Sequence, residues 1–177
     1  MTLASLQADH YKLDSAVTRL SLDIIWPSRN SWHGMRSNLR RMRMIRRAII
    51  SFDPDLVVSF IEGTNVLVIG ALLFSKIPVI VSERIDPRFH AVDRVRRIAR
   101  RILYPLAESL VVQTKSVAVW GRRVTSARRV SVITNPLSSL PEAPPYENRP
   151  RQILAVGRLA EQKGFDLLIR AFSASQL

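Results

Sequence analysis

The sequence contains no cysteine and few acidic residues, and both facts narrow the chemistry it can perform. Because Cys is 0 among 177 residues, a disulfide scaffold, a thiolate zinc site and a cysteine nucleophile are excluded. Lys+Arg number 27 against Asp+Glu 14, which gives a formal net charge of +13 at pH 7. Arginine, whose planar guanidinium binds phosphate in a bidentate manner, supplies most of this excess. Such a chain favours anionic partners: nucleic acid, an anionic membrane face or a phosphorylated substrate.

Long apolar runs are also missing. The longest, residues 66–74, is interrupted by Gly70 and falls well short of the ~20 residues that a membrane-spanning helix needs. The first residues show no basic leader followed by an apolar stretch, as a signal peptide would. We therefore expect a cytoplasmic protein. Hydrophobic residues make up 47% and charged residues 23% of the chain, which is typical of a globular protein with its own core.

Short apolar segments alternate with helical segments along most of the chain. The apolar segments are rich in β-branched residues, as strands buried on both faces are. The predicted strands are residues 56–60, 77–82, 109–114 and 130–134. The predicted helices are residues 36–51, 66–75, 92–103 and 116–123. This alternation predicts an α/β fold with a mostly parallel, Rossmann-like sheet.

Two of the predicted helices, residues 36–51 and 92–103, are rich in arginine. In the first, apolar residues that include Ile45 and Ile49 recur at helical spacing, and the arginines occupy another face. The second is predicted to turn three apolar residues inward and to expose its arginines, Arg100 among them. Those apolar residues are Val95, Ile98 and Ile102. The arginine faces are either merely solvated or attract an anionic membrane surface or a lipid-diphosphate acceptor.

The distribution of proline divides the chain. Five of its 10 prolines fall within residues 136–150, which predicts a linker over residues 137–150. Residues 1–136 then form a first, partial Rossmann-like domain. Residues 151–177 contain one predicted strand, residues 152–156, and one helix from Phe165 onward. One strand and one helix cannot form a domain, so we expect residues 151–177 to be the start of a second, carboxyl-terminal domain.

The loop between this last strand and helix carries two glycines and two cations. Gly157 and Arg158 follow the strand directly, and Lys163 and Gly164 precede the helix. Glycine lets the backbone approach a ligand closely, and the start of a helix offers free N–H groups. Open α/β sheets bind their ligands at the carboxyl ends of parallel strands. These features favour a diphosphate site, although a βα turn with a glycine cap and two solvated cations has the same residues.

Residues 156–172 closely resemble the start of the nucleotide-sugar domain in group 1 (family 4) glycosyltransferases. Four earlier segments resemble the same family in the same order, and in one of them Ile85 stands where the family has asparagine. These segments are residues 53–59, 78–87, 111–114 and 132–137.

The resemblance implies a retaining enzyme of the GT-B fold. It would transfer a hexose-type sugar from a nucleotide sugar to a lipid-linked or glycan acceptor in bacterial surface polysaccharide synthesis, and could associate with the inner face of the cell membrane. The cations that bind the donor diphosphate in the family match Arg158 and Lys163, which stand beside Gly157 and Gly164. No metal and no cofactor are implied, because these cations and a helix N-terminus neutralise the leaving diphosphate.

Glu83 is the candidate catalytic residue. It follows the predicted strand of residues 77–82, so it should lie where the cleft between the two domains opens and could face the reacting sugar. The alternative is that Glu83 and Arg84 only shape the loop.

The sequence also departs from the family. The family begins with a strand and a glycine-rich loop, and its second domain carries a later pair of glutamates; the sequence matches neither. We therefore expect an interior piece of a glycosyltransferase that has no measurable turnover on its own. The alternatives are a basic nucleic-acid-binding protein and a non-functional remnant. The buried-strand pattern and the dispersal of arginine over several helices argue against nucleic-acid binding.

Overall fold

Helices and strands alternate along the chain in the computed structural model, which describes residues 1–3, 13–24, 31–89, 92–125, 129–136, 145, 147 and 152–175. The chain divides into two compact units, Met1–Pro136 and Leu137–Leu177. The first unit contains α1 (Ser31–Phe52), β1 (Val57–Phe60), α2 (Glu62–Ala71), β2 (Val79–Ser82), α3 (Arg94–Leu103), β3 (Ser109–Val112), α4 (Lys115–Val124) and β4 (Val130–Val132). The second contains a 3₁₀ turn, Glu161–Lys163, and α5 (Phe165–Ala174).

The four strands of the first unit form one parallel sheet in the order β1-β2-β3-β4. Val57 pairs with Val79, Ile80 with Ser109, and Leu110 with Val130. Parallel neighbours need a crossover connection, and α2, α3 and α4 supply it between successive strands. The prediction of an α/β fold with a parallel, Rossmann-like sheet is therefore confirmed.

The core lies between the sheet and the helices that flank it. Helices α1 and α2, strands β2 and β3, and a 3₁₀ turn at Tyr104–Leu106 contribute most of the fully buried side chains. Helix α4 approaches the sheet closely at Gly121, where an added Cβ would lie 3.0 Å from Leu110 Cδ2. The largest fully buried apolar and aromatic side chains are Tyr104, Ile24, Ile45, Leu110, Val81 and Val112.

Two helices begin earlier than predicted, and α2 also ends earlier, at Ala71 rather than at residue 75. Helix α1 begins at Ser31 rather than at residue 36, and α2 begins at Glu62 rather than at residue 66. Residues 62–65, which lie between the predicted strand and the predicted helix, are the first turn of α2. The chain changes direction one residue earlier, at Ile61, whose φ of 70° is unusual for a β-branched residue.

The prediction that the first strand is buried on both faces is wrong. In β1, Ser59 is buried, but Val58 and Phe60 on the opposite face are each 49% exposed. The reason is position: β1 is an edge strand of the sheet and pairs only with β2 among the named strands. A run of apolar residues shows that a strand can be buried, but the position of the strand in the sheet determines how much of its surface is buried.

The predicted orientation of the second arginine-rich helix is also wrong. In α3, the three apolar residues expected to point inward are 58–76% exposed, whereas Arg100, expected on the outside, is 4% exposed. The exposed apolar residues are Val95, Ile98 and Ile102. Helix α3 begins at Arg94, and the side chain of its N-cap residue Asp93 accepts a hydrogen bond from Arg96 N at 2.9 Å. The prediction failed because Arg100 contacts Glu83 and Trp120, which are distant from it in the sequence and stabilise its guanidinium in the interior.

In the second unit, α5 confirms the predicted helix, but residues 152–156 form no strand. They are exposed, and a strand requires hydrogen bonds to a neighbouring strand. No such neighbour exists among the residues described in this unit. The predicted linker, residues 137–150, lies almost entirely outside the described residues.

Candidate functional site

The carboxyl ends of the four strands meet at one edge of the sheet, and polar residues follow β2, β3 and β4. Glu83 and Arg84 follow β2, Gln113 follows β3, and Asn135 lies just beyond β4. Gln113 Nε2 donates a hydrogen bond to Asn135 Oδ1 at 2.7 Å, so the ends of β3 and β4 are joined by side chains. Open parallel sheets bind their ligands at this edge, so it is the candidate site of the first unit.

Glu83 lies at this edge but is buried, with 4% exposure. Its Oε1 accepts a hydrogen bond from the Tyr104 hydroxyl at 2.6 Å, and Arg100 Nη1 lies 3.5 Å from the same oxygen. Burial raises the pKa of the Glu83 carboxyl, while Tyr104 and Arg100 act to lower it and the neighbouring Glu62 charge raises it further. Glu83 is therefore held firmly and exchanges its proton closer to neutral pH than an exposed glutamate.

Tyr104 and Asn65 extend this buried network to α2. Asn65 Nδ2 donates to the Ser82 carbonyl at 3.1 Å and to the Tyr104 hydroxyl oxygen at 3.2 Å. Burial, together with the Glu83 carboxylate, raises the pKa of the Tyr104 phenol, so Tyr104 remains a hydrogen-bond donor. The network ties the end of β2 to α2 on one side and to the end of α3 on the other.

Arg100 joins the same network to α4. Its guanidinium lies over the ring of Trp120, 4.6 Å from the ring centroid, while Nη1 faces Glu83. A buried arginine is stable only with a partner for its charge, and here a carboxylate and an aromatic face both serve. Glu83 and Trp120 are 17 and 20 positions from Arg100 in the sequence. Helical periodicity carries no signal for contacts of that kind.

A second carboxylate, Glu62, belongs to the same edge. It lines a small cavity of about 30 Å³ together with Ile61, Glu83, Arg84, Ile85, Pro87 and Arg100. The sequence analysis gave Glu62 no role. A signal was present, however, because Glu62 closely follows β1 much as Glu83 follows β2, and in a parallel sheet both positions lie at the carboxyl edge.

In the second unit, the loop of residues 157–164 brings part of the predicted diphosphate site together. A Cβ at Gly157 would lie 3.5 Å from Lys163 Cδ and 3.3 Å from the ring of Phe165, so the backbone passes close to both side chains. Gly164 has φ 62°, a left-handed conformation that favours glycine, and it is the N-cap of α5. Arg158 and Lys163 are exposed. The loop thus presents two accessible cations beside the start of a helix.

Neither a metal-binding cluster nor a membrane-spanning helix is found in the part of the chain that the structure describes. No group of three or more His, Cys, Asp and Glu side chains there could hold a metal ion. None of the helices there combines the length and the apolar character needed to cross a bilayer.

Comparison with known proteins gives one informative match. No protein-family model matches the chain. A curated relative is 26% identical over 165 residues, which is 92% of this chain and 45% of the relative. It is the GalNAc-alpha-(1->4)-GalNAc-alpha-(1->3)-diNAcBac-PP-undecaprenol alpha-1,4-N-acetyl-D-galactosaminyltransferase of Campylobacter jejuni subsp. jejuni serotype O:2. The chain thus spans about half the length of this relative. The match supports a glycosyltransferase and does not favour the nucleic-acid-binding alternative.

Proposed function

We propose that the protein acts as a glycosyltransferase, transferring a hexose-type sugar from a nucleotide-sugar donor to a lipid-linked or glycan acceptor in bacterial glycan synthesis. The similarity to the Campylobacter enzyme carries this proposal, because an alignment over 92% of the chain necessarily includes residues of both units. The parallel sheet with polar residues at its carboxyl edge is consistent with a substrate site. The retaining mechanism, the GT-B fold and the family 4 assignment are further parts of the proposal.

The donor diphosphate binds, in this proposal, at the loop of residues 157–164. Arg158 and Lys163 supply positive charge, and Gly157 and Gly164 let the backbone come close to the phosphates at the start of α5. As the sugar bond breaks, negative charge grows on the diphosphate, so fixed cations stabilise the transition state more than the ground state. In this scheme no metal ion is needed to neutralise the leaving group.

The acceptor side of the reaction is assigned to the carboxyl edge of the four-stranded sheet. Glu83 is the candidate for a carboxylate that faces the reacting sugar. Its pKa is raised by burial, so it exchanges a proton at a higher pH than an exposed glutamate does, which suits a general acid or base. Its hydrogen bond from Tyr104 and its ion pair with Arg100 would fix its orientation.

Peripheral association with an anionic membrane at the cytoplasmic face completes the proposal. Helix α3 exposes Val95, Ile98 and Ile102 and also carries four exposed arginines. A helix with an apolar face beside a strongly basic one is suited to lie in the headgroup region of an anionic bilayer. This arrangement would bring a lipid-linked acceptor to the adjacent carboxyl edge of the sheet.

The test is sugar transfer in an active form of the enzyme that includes this sequence. Arg158→Ala and Lys163→Ala should each lower turnover by ~10²–10³, because each removes a fixed charge that stabilises the leaving group. Arg158→Lys should restore only part of the rate, since lysine lacks the planar fork of the guanidinium. Transfer is measured as incorporation of labelled sugar into the lipid fraction, across a panel of nucleotide sugars.

Arg170→Ala provides the matched control. Arg170 is an exposed cation on α5, outside the loop that contains the two candidate residues. We expect this variant to keep near-normal turnover and the same thermal stability as the parent. Near-normal turnover after Lys163→Ala would remove the diphosphate assignment.

A further inference from the structure

A groove of about 550 Å³ runs along β1, the edge strand that pairs only with β2 among the named strands. Its described walls come from residues 1–3, from the end of α1 and from β1 itself. None of the described residues that line it carries a charged side chain, although 23% of the chain is charged. Small-molecule sites usually have volumes of ~300–1,000 Å³. The groove is therefore large enough for a ligand, and its lining favours an apolar one.

The apolar side chains of this groove are exposed to solvent, so a ligand can reach them. Val58 and Phe60 in β1 are each 49% exposed, and Leu56, just before the strand, is 43% exposed. Phe52, at the end of α1, is 64% exposed. Apolar side chains that are exposed together, unlike scattered ones, mark an interaction site. An apolar ligand in the groove removes this surface from water.

The groove is elongated in the direction of β1. It is lined continuously from Leu56, before the strand, to Ile61, after it. Six consecutive residues of a strand extend over roughly 16 Å at ~3.3 Å per residue. A hydrocarbon chain fits such a groove better than a compact ring does. Ile61 also lines the small cavity that contains Glu62 and Glu83, so one end of the groove adjoins the candidate site.

A cation lies at that same end of the groove. Arg84 follows β2 at the carboxyl edge of the sheet, and its guanidinium carbon lies 5.6 Å from the centroid of the Phe60 ring. Phe60 itself lines the groove. Arginine binds phosphate oxygens through a planar fork of N–H donors. An apolar groove that ends beside an arginine therefore fits a hydrocarbon chain with a phosphate or diphosphate head group.

Net charge distinguishes such a ligand from a second copy of this chain. Each copy carries a formal net charge of +13, so two copies repel one another. An anionic amphiphile is attracted by the same charge. The charge of the protein and the shape of the groove thus favour the same kind of ligand.

We propose that the groove along β1 binds the hydrocarbon chain of a single-chain lipid diphosphate, with the diphosphate at Arg84. That this lipid carries the acceptor glycan rests on the proposed function. The groove then holds the lipid and leaves the glycan at the carboxyl edge of the sheet, beside Glu83. This lipid site is separate from the donor diphosphate site at Arg158 and Lys163.

The first test is isothermal titration calorimetry of the 177-residue chain with single-chain diphosphates of increasing length. The probes are inorganic pyrophosphate and geranyl, farnesyl and geranylgeranyl diphosphate, each kept below the concentration at which it forms micelles. Affinity should rise about tenfold or more from geranyl to farnesyl diphosphate, because five more carbons leave water. Pyrophosphate should bind most weakly. Equal affinity for all four probes would overturn the proposal.

Substitutions in the groove test where the hydrocarbon chain lies. Leu56→Ser and Val58→Ser should each weaken binding of farnesyl diphosphate about five- to tenfold, because each removes apolar contact surface. Both side chains are half exposed, so the fold should tolerate the change. Val132→Ser is the matched control, since Val132 is a 40% exposed valine in β4, at the other edge of the sheet. Unchanged affinity in both groove variants, or an equal loss in the control, would overturn the proposal.

Arg84→Met tests the position of the head group. It should weaken binding of farnesyl diphosphate about tenfold, because it removes a charge-assisted hydrogen bond. It should leave the affinity for farnesol, which has the same chain and no phosphate, near that of the parent. Arg123→Met, at an exposed arginine of α4, should change neither affinity. Equal losses for the two ligands in Arg84→Met, or no loss for either, would overturn the proposal.

Hydrogen exchange of the lipid-free protein tests whether polypeptide occupies the groove instead. The N–H groups of Val57 and Ile61 donate to carbonyls on the β2 side, at 3.0 and 3.1 Å. By alternation, those of Val58 and Phe60 point away from β2, toward the groove. We expect these two amides to exchange rapidly. Slow exchange there would show that a strand, from this chain or from a second copy, pairs with this edge, and would overturn the proposal.

The outcomes also separate the lipid site from the proposed function. Binding that depends on chain length and on Val58, in a protein that transfers no sugar, would reject the transferase and keep the lipid site. Sugar transfer that depends on Lys163, with the same KM for a lipid-linked acceptor in the parent and in Val58→Ser, would reject the lipid site and keep the transferase.

Discussion

Helices α1 and α3 have the same kind of sequence but opposite orientations. Both carry arginines interleaved with apolar residues at helical spacing. In α1 the apolar residues Ile45 and Ile49 are buried and the arginines Arg43 and Arg47 are exposed. In α3 the apolar residues are exposed, and the buried position is held by Arg100. The comparison shows that periodicity gives the two faces of a helix but does not decide which of them the fold covers.

The physical cause of the difference is the set of partners that each helix meets. Helix α1 packs on α2, where Ile45 and Ile49 join a cluster of apolar side chains. Helix α3 lies beside Glu83 at the end of β2 and Trp120 on α4, which together bind a guanidinium. With these partners, burial of Arg100 is tolerated. The apolar face of α3 is then left available for the membrane proposed above.

The largest expected effect comes from removing apolar volume from each helix in turn. Ile45→Ala should lower the free energy of unfolding by about 3 kcal/mol, because Ile45 is fully buried and its removal leaves a cavity. Ile98→Ala on α3 should change it by less than about 0.5 kcal/mol, since Ile98 is 58% exposed. Urea denaturation followed by circular dichroism measures both. Equal losses in the two variants would contradict the orientation of α3.

The next prediction replaces one arginine in each helix, and here the larger loss of stability is expected in α3 rather than in α1. Arg100→Met should cost about 3 kcal/mol of stability, because it leaves the Glu83 carboxylate buried without its cation. Arg43→Met, on the exposed face of α1, should cost less than about 0.5 kcal/mol. The double variant Arg100→Met/Glu83→Gln should recover part of the loss, because both charges are then gone. A single variant at Arg100 as stable as the parent would show that this ion pair is not buried.

Binding to vesicles tests what the exposed face of α3 does. Ile98→Ser and Ile102→Ser should each weaken binding to anionic vesicles about tenfold, because each removes apolar surface that would enter the bilayer. Charge reversal of Arg40, Arg43 and Arg47 on α1 should weaken it if that helix also faces the membrane. Binding should fall with salt, since exposed charges are screened beyond ~8 Å at physiological ionic strength.

Sedimentation with vesicles of anionic and of neutral lipid is the measurement. Equal binding to both kinds of vesicle would reject an electrostatic contribution. No effect of either serine substitution would leave the apolar face of α3 without a role in the membrane. In that case, the exposed arginines of α1 and α3 would remain as candidates for membrane contact.

The smallest expected effect concerns the pH dependence of stability. Burial raises the pKa of Glu83 in the folded state, so between its unfolded and folded pKa values the native protein binds more protons than the unfolded chain. This contribution is fully present below the unfolded pKa, near 4.5, and is lost as the pH rises through the folded pKa. The parent should therefore lose stability relative to Glu83→Gln as the pH rises above 4.5. Parallel urea-denaturation profiles from pH 4.5 to 7 would contradict this assignment.

The candidate site was predicted from the sequence only where neighbouring residues form it. Gly157, Arg158, Lys163 and Gly164 lie within one short loop, so their proximity follows from the chain itself. The position of Glu83 at the carboxyl edge followed from its place after a strand. Its partners Arg100 and Tyr104 could not be predicted, because they lie in the last turn of α3 and directly after it, and the predicted orientation of this helix was wrong.

The sequence by itself determined the alternation of strands and helices, and with it the parallel sheet. It did so because β-branched apolar runs and helical periods are local patterns, and short connections leave parallel pairing through crossover helices as the simple solution. Only the tertiary structure decided that β1 lies at an edge and that α3 turns its apolar face outward. It also decided that Glu62 lines the same small cavity as Glu83, Arg84 and Arg100. Each of these three features depends on contacts between residues that are distant in the sequence. For the buried charged side chains, the free energy of burial depends on the partners that the fold places beside them.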